Sequence, residues 1–200
     1  MSTSSDPRPL LLQLIATLSF RLGDFTLSSG AHSDYYIDCR TTTLHAEGGR
    51  LAGLALYDVI RRHNLNPQAV GGLTLGADPL VSNIASASAW DHLAHPERPL
   101  IHGFLVRKSE KSHGTGRRIE GFNEPGSRVV IVDDVCTTGA STIQAIEAAR
   151  DAKLQVVGVL CLVDRQEMNG RAAVEAAAAG APFLPLFTAS DIRAAHLASK

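Results

Sequence analysis

Four consecutive apolar residues, Val129, Val130, Ile131 and Val132, run straight into an acidic pair, Asp133 and Asp134, and then into a Thr-, Gly- and Ser-rich stretch that opens a helical pattern. A strand that is apolar on both faces must be covered on both faces, which is the situation of a parallel sheet held between helix layers. The same signature returns at residues 155–163, with VVGVLCLV at its centre. Around these two strands the periodicity alternates. Extended segments at 70–73, 100–106 and 182–187 are separated by helical patterns at 79–92, 140–152 and 171–179, with a last helix from Asp191. The pattern predicts an α/β fold built on a central, mostly parallel sheet flanked by helices.

The N-terminal part is organised differently. Leu11, Leu14, Ile15, Leu18 and Leu22 recur at helical spacing through the apolar run 10–20, with Asp6 and Pro7 as its start signal. Extended segments at 25–27 and 35–39 flank a turn at Ser28, Ser29 and Gly30. A long helix over 45–63 then carries the stripe Leu51, Leu54, Leu56, Val59 and Ile60, with Arg61, Arg62 and His63 at its C-terminal end.

Two hundred residues, 44% of them hydrophobic, are enough for one sizeable core, so a single domain over 1–200 is expected. The formal net charge of −1 provides no global field for nucleic acid or an anionic membrane. The run 10–20 is too short to span a bilayer. Cys39, Cys136 and Cys161 are odd in number and form no CxxC, which excludes a disulfide framework and points to a reducing cytoplasm. His92 and His95 are three apart but lack a third ligand, and no metal ligand is assigned directly. Between Val106 and Gly126 the apolar pattern stops, which predicts a functional loop inside an otherwise compact domain.

Segment 129–142 carries the strongest chemical signal. Ligands of open α/β sheets gather at the carboxyl ends of the strands, and a helix N-terminus rich in hydroxyls suits a phosphate monoester. Asp133 and Asp134 would repel that phosphate but suit the vicinal hydroxyls of an attached ribose. An ordinary capped helix accounts for Thr138 or Ser141 alone, and not for two adjacent acids directly after a core strand. Neither a Walker-type GxxxxGK[ST] nor a GxGxxG motif occurs.

An apolar strand, two acids and a Thr/Gly/Ser loop in this order resemble the phosphoribosyltransferases. FTLSSGAHSDYYIDCR (25–40), GGLTLGADP (71–79), RKSEKSHGTGRRIEG (107–121) and DRQE (164–167) narrow the resemblance to the orotate phosphoribosyltransferase family and extend it over nearly the whole chain. The resemblance implies the type I phosphoribosyltransferase fold. Residues 1–40 would form an N-terminal helix and a small hood over the base, and 107–121 a long flexible catalytic loop. It also implies a pentosyl transfer: orotate and 5-phosphoribosyl 1-diphosphate give orotidine 5'-phosphate and diphosphate, a step of de novo pyrimidine biosynthesis.

Carried over position by position, the resemblance makes Arg107, Lys108, Lys111 and His113 the basic catalytic residues that meet the diphosphate, Lys111 foremost. Thr74, Leu75 and Gly76 form the diphosphate loop. The ribose phosphate loop comprises Asp133, Asp134, Val135, Cys136, Thr137, Thr138, Gly139, Ala140 and Ser141, and the base lies near Tyr36, Ile37, Thr137 and Arg165. Magnesium is the implied cofactor, held mainly by substrate and water. A homodimer sharing the basic loop across its interface is the implied assembly, with no nucleic acid or membrane partner. The chain departs from many relatives at Ser28 and Leu75, where they carry lysine. The phosphate loop alone leaves open a transferase for another base, or a regulator that senses phosphoribosyl diphosphate.

Overall fold

The computed structural model describes residues 6–26, 32–108 and 118–199. Helix α1 (Arg8–Leu18) leads into a two-stranded antiparallel ribbon, β1 (Phe20–Thr26) and β2 (His32–Ile37). Helices α2 (Arg40–Thr43) and α3 (Ala46–Arg62) follow, then β3 (Ala69–Leu73), α4 (Asp78–Ala94), β4 (His102–Val106) and β5 (Ile119–Gly121). The chain closes with β6 (Arg128–Cys136), α5 (Ala140–Asp151), β7 (Gln155–Asp164), α6 (Gly170–Ala178), β8 (Phe183–Thr188) and α7 (Ala189–Ala198). The main sheet has the order β5-β4-β3-β6-β7-β8 and is parallel except for β5, which lies antiparallel on the edge strand β4. This is the α/β architecture expected from the alternating pattern.

The continuous apolar runs are explained by cover on both faces. On β6, Val130 and Val132 face a core shared with α1, α3, α4 and α7, while Val129 and Ile131 face the one beneath α5 and α6. β7 divides in the same way, with Leu160 and Leu162 on the first side and Val159 and Cys161 on the second.

Three boundaries differ from the sequence expectation for identifiable reasons. The first helix stops at Leu18 because the Ser19 hydroxyl bonds the hydroxyls of Thr41 and Thr42 at 2.8 and 2.6 Å and Phe20 enters the ribbon opposite Ile37. Strand β6 does not end at Val132. Its parallel ladder with β7 continues through Asp133 opposite Cys161 to Cys136 opposite Asp164. The stretch between Val106 and Gly126 contains β5 on its returning side, and residues 109–117 lie outside the described residues.

The ribbon is fastened to the sheet by the chain's own end. Phe20 of β1 meets the His196 ring of α7 at 5.1 Å between centroids, His196 Nδ1 bonds the Ala16 carbonyl at 2.8 Å, and Arg193 pairs with Asp34 at 2.6 Å. Among the described residues no helix is long and apolar enough to cross a membrane.

Strand β3 sends its chain outward to β4, and the chain returns to β6 on the opposite side of β3. The loops after β3 and β6 therefore diverge, leaving a crevice at their carboxyl ends. Because β6 carries both cores, Ile131→Ala is expected to destabilise the fold by on the order of 3 kcal/mol, seen as an earlier midpoint in urea unfolding with an unchanged slope.

Candidate functional site

The crevice between the β3 and β6 loops opens into a cleft of about 300 Å³, walled by the end of the ribbon on one side and the start of α5 on the other. Its rear wall is acidic. Asp133 is 5% exposed and its carboxylate accepts a 2.7 Å bond from the buried Thr142 hydroxyl and a 3.0 Å bond from the Asp134 amide. The Thr142 bond ties the last turn of the strand to the first turn of α5. Asp134 is only half-buried, and its Oδ1 accepts from the Val135 amide at 3.0 Å. Burial raises the pKa of both carboxyls above the ordinary range, and for Asp133 the neighbouring Asp134 charge adds to the effect.

Gly76 backs directly onto this pair, so that a β-carbon at position 76 would lie 2.4 Å from Asp134 Oδ1. A larger residue cannot occupy the position without displacing the carboxylate. The preceding Thr74–Leu75 peptide is cis, and Leu75 is 66% exposed at the cleft edge.

The next segment turns into α5 through Gly139, whose φ of 77° lies in the left-handed region that glycine tolerates best. Thr138 Oγ1 accepts from the Ala140 amide at 3.3 Å, and Ser141 is exposed one position further on. Helix α5 points its amino end into the cleft, where backbone donors and the helix dipole favour an anion.

The hood side carries the opposite charge. Arg165 follows β7 directly, has a side chain only 5% exposed, and sits with its guanidinium 4.6 Å from the Tyr35 ring centroid. Its amide donates to the Cys136 carbonyl at 2.9 Å, which fixes its backbone against the end of β6. Its side chain also faces Glu167, with Nε 3.1 Å from Oε2. Asp164 is engaged separately, by Arg171 at 2.9 Å.

Most of the residues singled out in the sequence meet here. Tyr36, Ile37, Thr74, Leu75, Gly76 and Lys108 line the cleft, as do Asp133, Asp134, Val135, Thr137, Ser141 and Arg165. Thr138 and Ala140 are exposed on the adjoining turn. The Cys136 side chain instead points into the core under α5, leaving only its backbone near the site. Arg107 is not in the cleft wall and pairs with Glu120 of β5 at 3.1 Å. Lys111, His113 and Ser28 lie outside the described residues.

The sequence reading missed Asp38, Cys39 and Arg40, which form the cleft wall after β2. Arg40 reaches back to Asp38 at 2.8 Å and holds that carboxyl below its usual range. The signal was an acid and a base two apart where a strand pattern ends, hidden because Cys39 was counted into the strand.

The phosphoribosyl transferase domain profile matches residues 55–173. Over 188 residues the chain is 43% identical to the orotate phosphoribosyltransferase of Aquifex aeolicus, covering 92% of this chain and 97% of that one. The chain belongs to the orotate phosphoribosyltransferase family. Solved structures of that enzyme from Mycobacterium tuberculosis agree. The complex with Fe(III) dicitrate superposes with a TM-score of 0.77 at 39% identity, covering 93% of this chain and 98% of the other. The complex with 5-phospho-alpha-D-ribosyl 1-diphosphate gives 0.73 at 34% identity, covering 94% and 99%.

For a member of this family the buried acids have a measurable consequence. Both carboxyls are raised above the ordinary value of 3.8, so above that value the folded chain holds protons that the unfolded chain has released. Stability therefore falls as pH rises from 3.8 toward the folded values. Asp133→Asn keeps an acceptor for Thr142 and removes one titrating group. The ligand-free variant should show a flatter dependence of Tm on pH than the unsubstituted chain between roughly pH 5 and pH 8. Equal slopes in thermal melts would exclude Asp133 as the source.

Proposed function

We propose that the cleft transfers the phosphoribosyl group of 5-phosphoribosyl 1-diphosphate to N1 of orotate, giving orotidine 5'-phosphate and diphosphate in pyrimidine biosynthesis. The observation that carries this reading is the joint placement, in one 300 Å³ cleft, of the α5 anion terminus, the partly exposed Asp134 and the buried cation Arg165. A ribose 5-phosphate meets the first two. The carboxylate that distinguishes orotate from uracil meets the third, because a guanidinium fork pairs with a carboxylate through two parallel N–H donors.

In the transfer, the bond from the anomeric carbon to the diphosphate oxygen breaks and the bond to N1 forms. Positive charge grows on the ribose while negative charge leaves with the diphosphate. Asp134 lies where the ribose would stand and offers carboxylate oxygens to its hydroxyls. Lys108 is exposed on the cleft wall, placed to meet the leaving group. Lys111 and His113 complete that role in this reading, with Lys111 as the main charge.

Among the described residues no group of three or more His, Cys, Asp or Glu is placed to hold a metal. Magnesium does not need one. Asp134 is a hard oxygen donor of the kind that holds this ion together with substrate oxygens and water, so the residues present fit it. When bound, the cation offsets the charge of the diphosphate.

The partner in this reading is a second copy that delivers the basic loop. Supporting it, Leu44, Leu75, Trp90 and Leu93 are large apolar side chains left exposed between the end of α2 and the end of α4, Leu75 among them at the cleft edge. A cytoplasmic setting is supported by three cysteines that are all buried and unpaired.

Loss of orotate absorbance in the presence of magnesium and phosphoribosyl diphosphate tests the reaction. Turnover on uracil or hypoxanthine in place of orotate would overturn the assignment. Lys111→Ala and Asp134→Asn should each lose most activity. Mixed and allowed to exchange subunits, the two inactive proteins should recover up to about a quarter of the original activity, because half of the dimers then carry one intact site. No recovery, with exchange verified, would place each loop in its own subunit's site.

A further inference from the structure

The Arg165 guanidinium is buried, and its protein contacts occupy only part of its donor set. Oε2 of Glu167 is 3.1 Å from Nε, close enough for charge pairing, yet it lies off the N–H direction, so that Nε has no aligned hydrogen bond. Nη2 reaches Ser33 Oγ at 3.3 Å and Glu167 Oε1 at 3.4 Å, both long contacts. Among the described residues Nη1 has no protein acceptor. Glu167, by contrast, is firmly held. Its Oε1 accepts a hydrogen bond from the Tyr35 hydroxyl, across from β2 to the segment after β7. The Tyr35 ring in turn lies under the Arg165 fork at 4.6 Å and is itself fixed by stacking on Phe20.

We propose that Glu167, anchored by Tyr35, is a positioning residue that holds the Nε and Nη2 edge of Arg165, so that the rest of the fork is presented to the substrate's carboxylate. The proposal rests on the reading of Arg165 as the carboxylate receptor. An arginine side chain loses much rotational freedom on being ordered, and a carboxylate clamp meets that cost before the substrate arrives. A second guanidinium, that of Arg193, lies 5.2 Å from the same ring but is paired with Asp34, and Arg40 on the cleft wall is paired through Nε and Nη2 with Asp38, which leaves Arg165 as the buried fork facing the cleft. Burial and the bond to Glu167 push the Tyr35 phenol up to about 12, so that it remains a donor across the neutral range.

Steady-state kinetics on the full-length chain test the clamp. Glu167→Ala should raise KM for orotate about tenfold while changing kcat and the KM for phosphoribosyl diphosphate by less than about twofold. Glu167→Gln keeps an acceptor for Tyr35 and should restore most of the lost affinity. Tyr35→Phe keeps the ring and the stacking, and should raise the orotate KM in the same direction by less. In an Arg165→Ala background, Glu167→Ala should add no further increase, because its partner is gone. A full additional increase there, or an equal rise in both KM values, would overturn the clamp while leaving the Arg165 reading intact. If Arg165→Ala alone leaves the orotate KM unchanged, the receptor reading itself fails and the clamp with it.

Discussion

The parallel ladder between β6 and β7 does not stop where the apolar residues stop. Because Val135 and Cys136 still pair with Val163 and Asp164, the acidic pair is carried into the sheet rather than left on a loop. Three features depend on that continuation. Asp133 becomes buried and must be satisfied internally, which the Thr142 hydroxyl does. Helix α5 is thereby tied to the strand end at a fixed angle, with its amino terminus over the crevice. Arg165, just beyond the matching end of β7, donates its amide to Cys136 and enters the same cleft from the other side. One length of ladder thus sets the distance between the α5 end and the Arg165 end of the cleft.

The electrostatics follow from the burial. Two carboxyls raised above their usual range are unfavourable as anions in the empty cleft, and the penalty is relieved by whatever brings positive charge beside them. A magnesium ion, a ribose acquiring positive charge and a basic side chain all do so. The arrangement therefore favours the charged state of the reaction over the empty enzyme, the direction in which preorganised electrostatics lower a barrier. At the other end the charge is of opposite sign: the guanidinium of Arg165 is buried beside Glu167 and the Tyr35 ring.

The difference in how far the sequence revealed each end has the same physical origin. The phosphate end is local. Thr74, Leu75 and Gly76 form one loop and residues 133–141 one strand-to-helix turn, so their chemistry and their spacing can be read together. The sheet was legible for a similar reason, since cover on both faces leaves an apolar run in the sequence itself. The base end is not local. Tyr35 meets Glu167 and Arg193 meets Asp34 only after the fold brings the ribbon against the last helix. No periodicity announces such pairs, and Arg165 by itself reads equally well as a strand-end arginine in an ion pair, which it also is. Arg107, which motif position puts in the basic set, pairs in this structure with Glu120 of β5, a strand that the polar sequence of 107–121 did not reveal.

This division bears on how such a scaffold takes different bases. The residues proposed to grip ribose phosphate are bound to the sheet by backbone pairing and by the Asp133 and Thr142 contact, so substitution there disturbs the core. Tyr36 and Ile37, proposed to lie near the base, belong to a two-stranded ribbon joined to the rest by the Phe20–His196 ring contact, the Arg193–Asp34 ion pair, the Tyr35–Glu167 hydrogen bond and the packing of Phe20, Tyr35 and Ile37. Changing the ribbon leaves the hydrophobic cluster beneath α5 and α6 and the strand order of the main sheet untouched, and alters only the edge of the other cluster, where Phe20, Tyr35 and Ile37 pack. The ribbon is thus the part of the molecule that can vary without re-forming the strand-to-helix turn at α5. Arg165, which follows β7 and meets the ribbon through the Tyr35 ring, is where the two parts join.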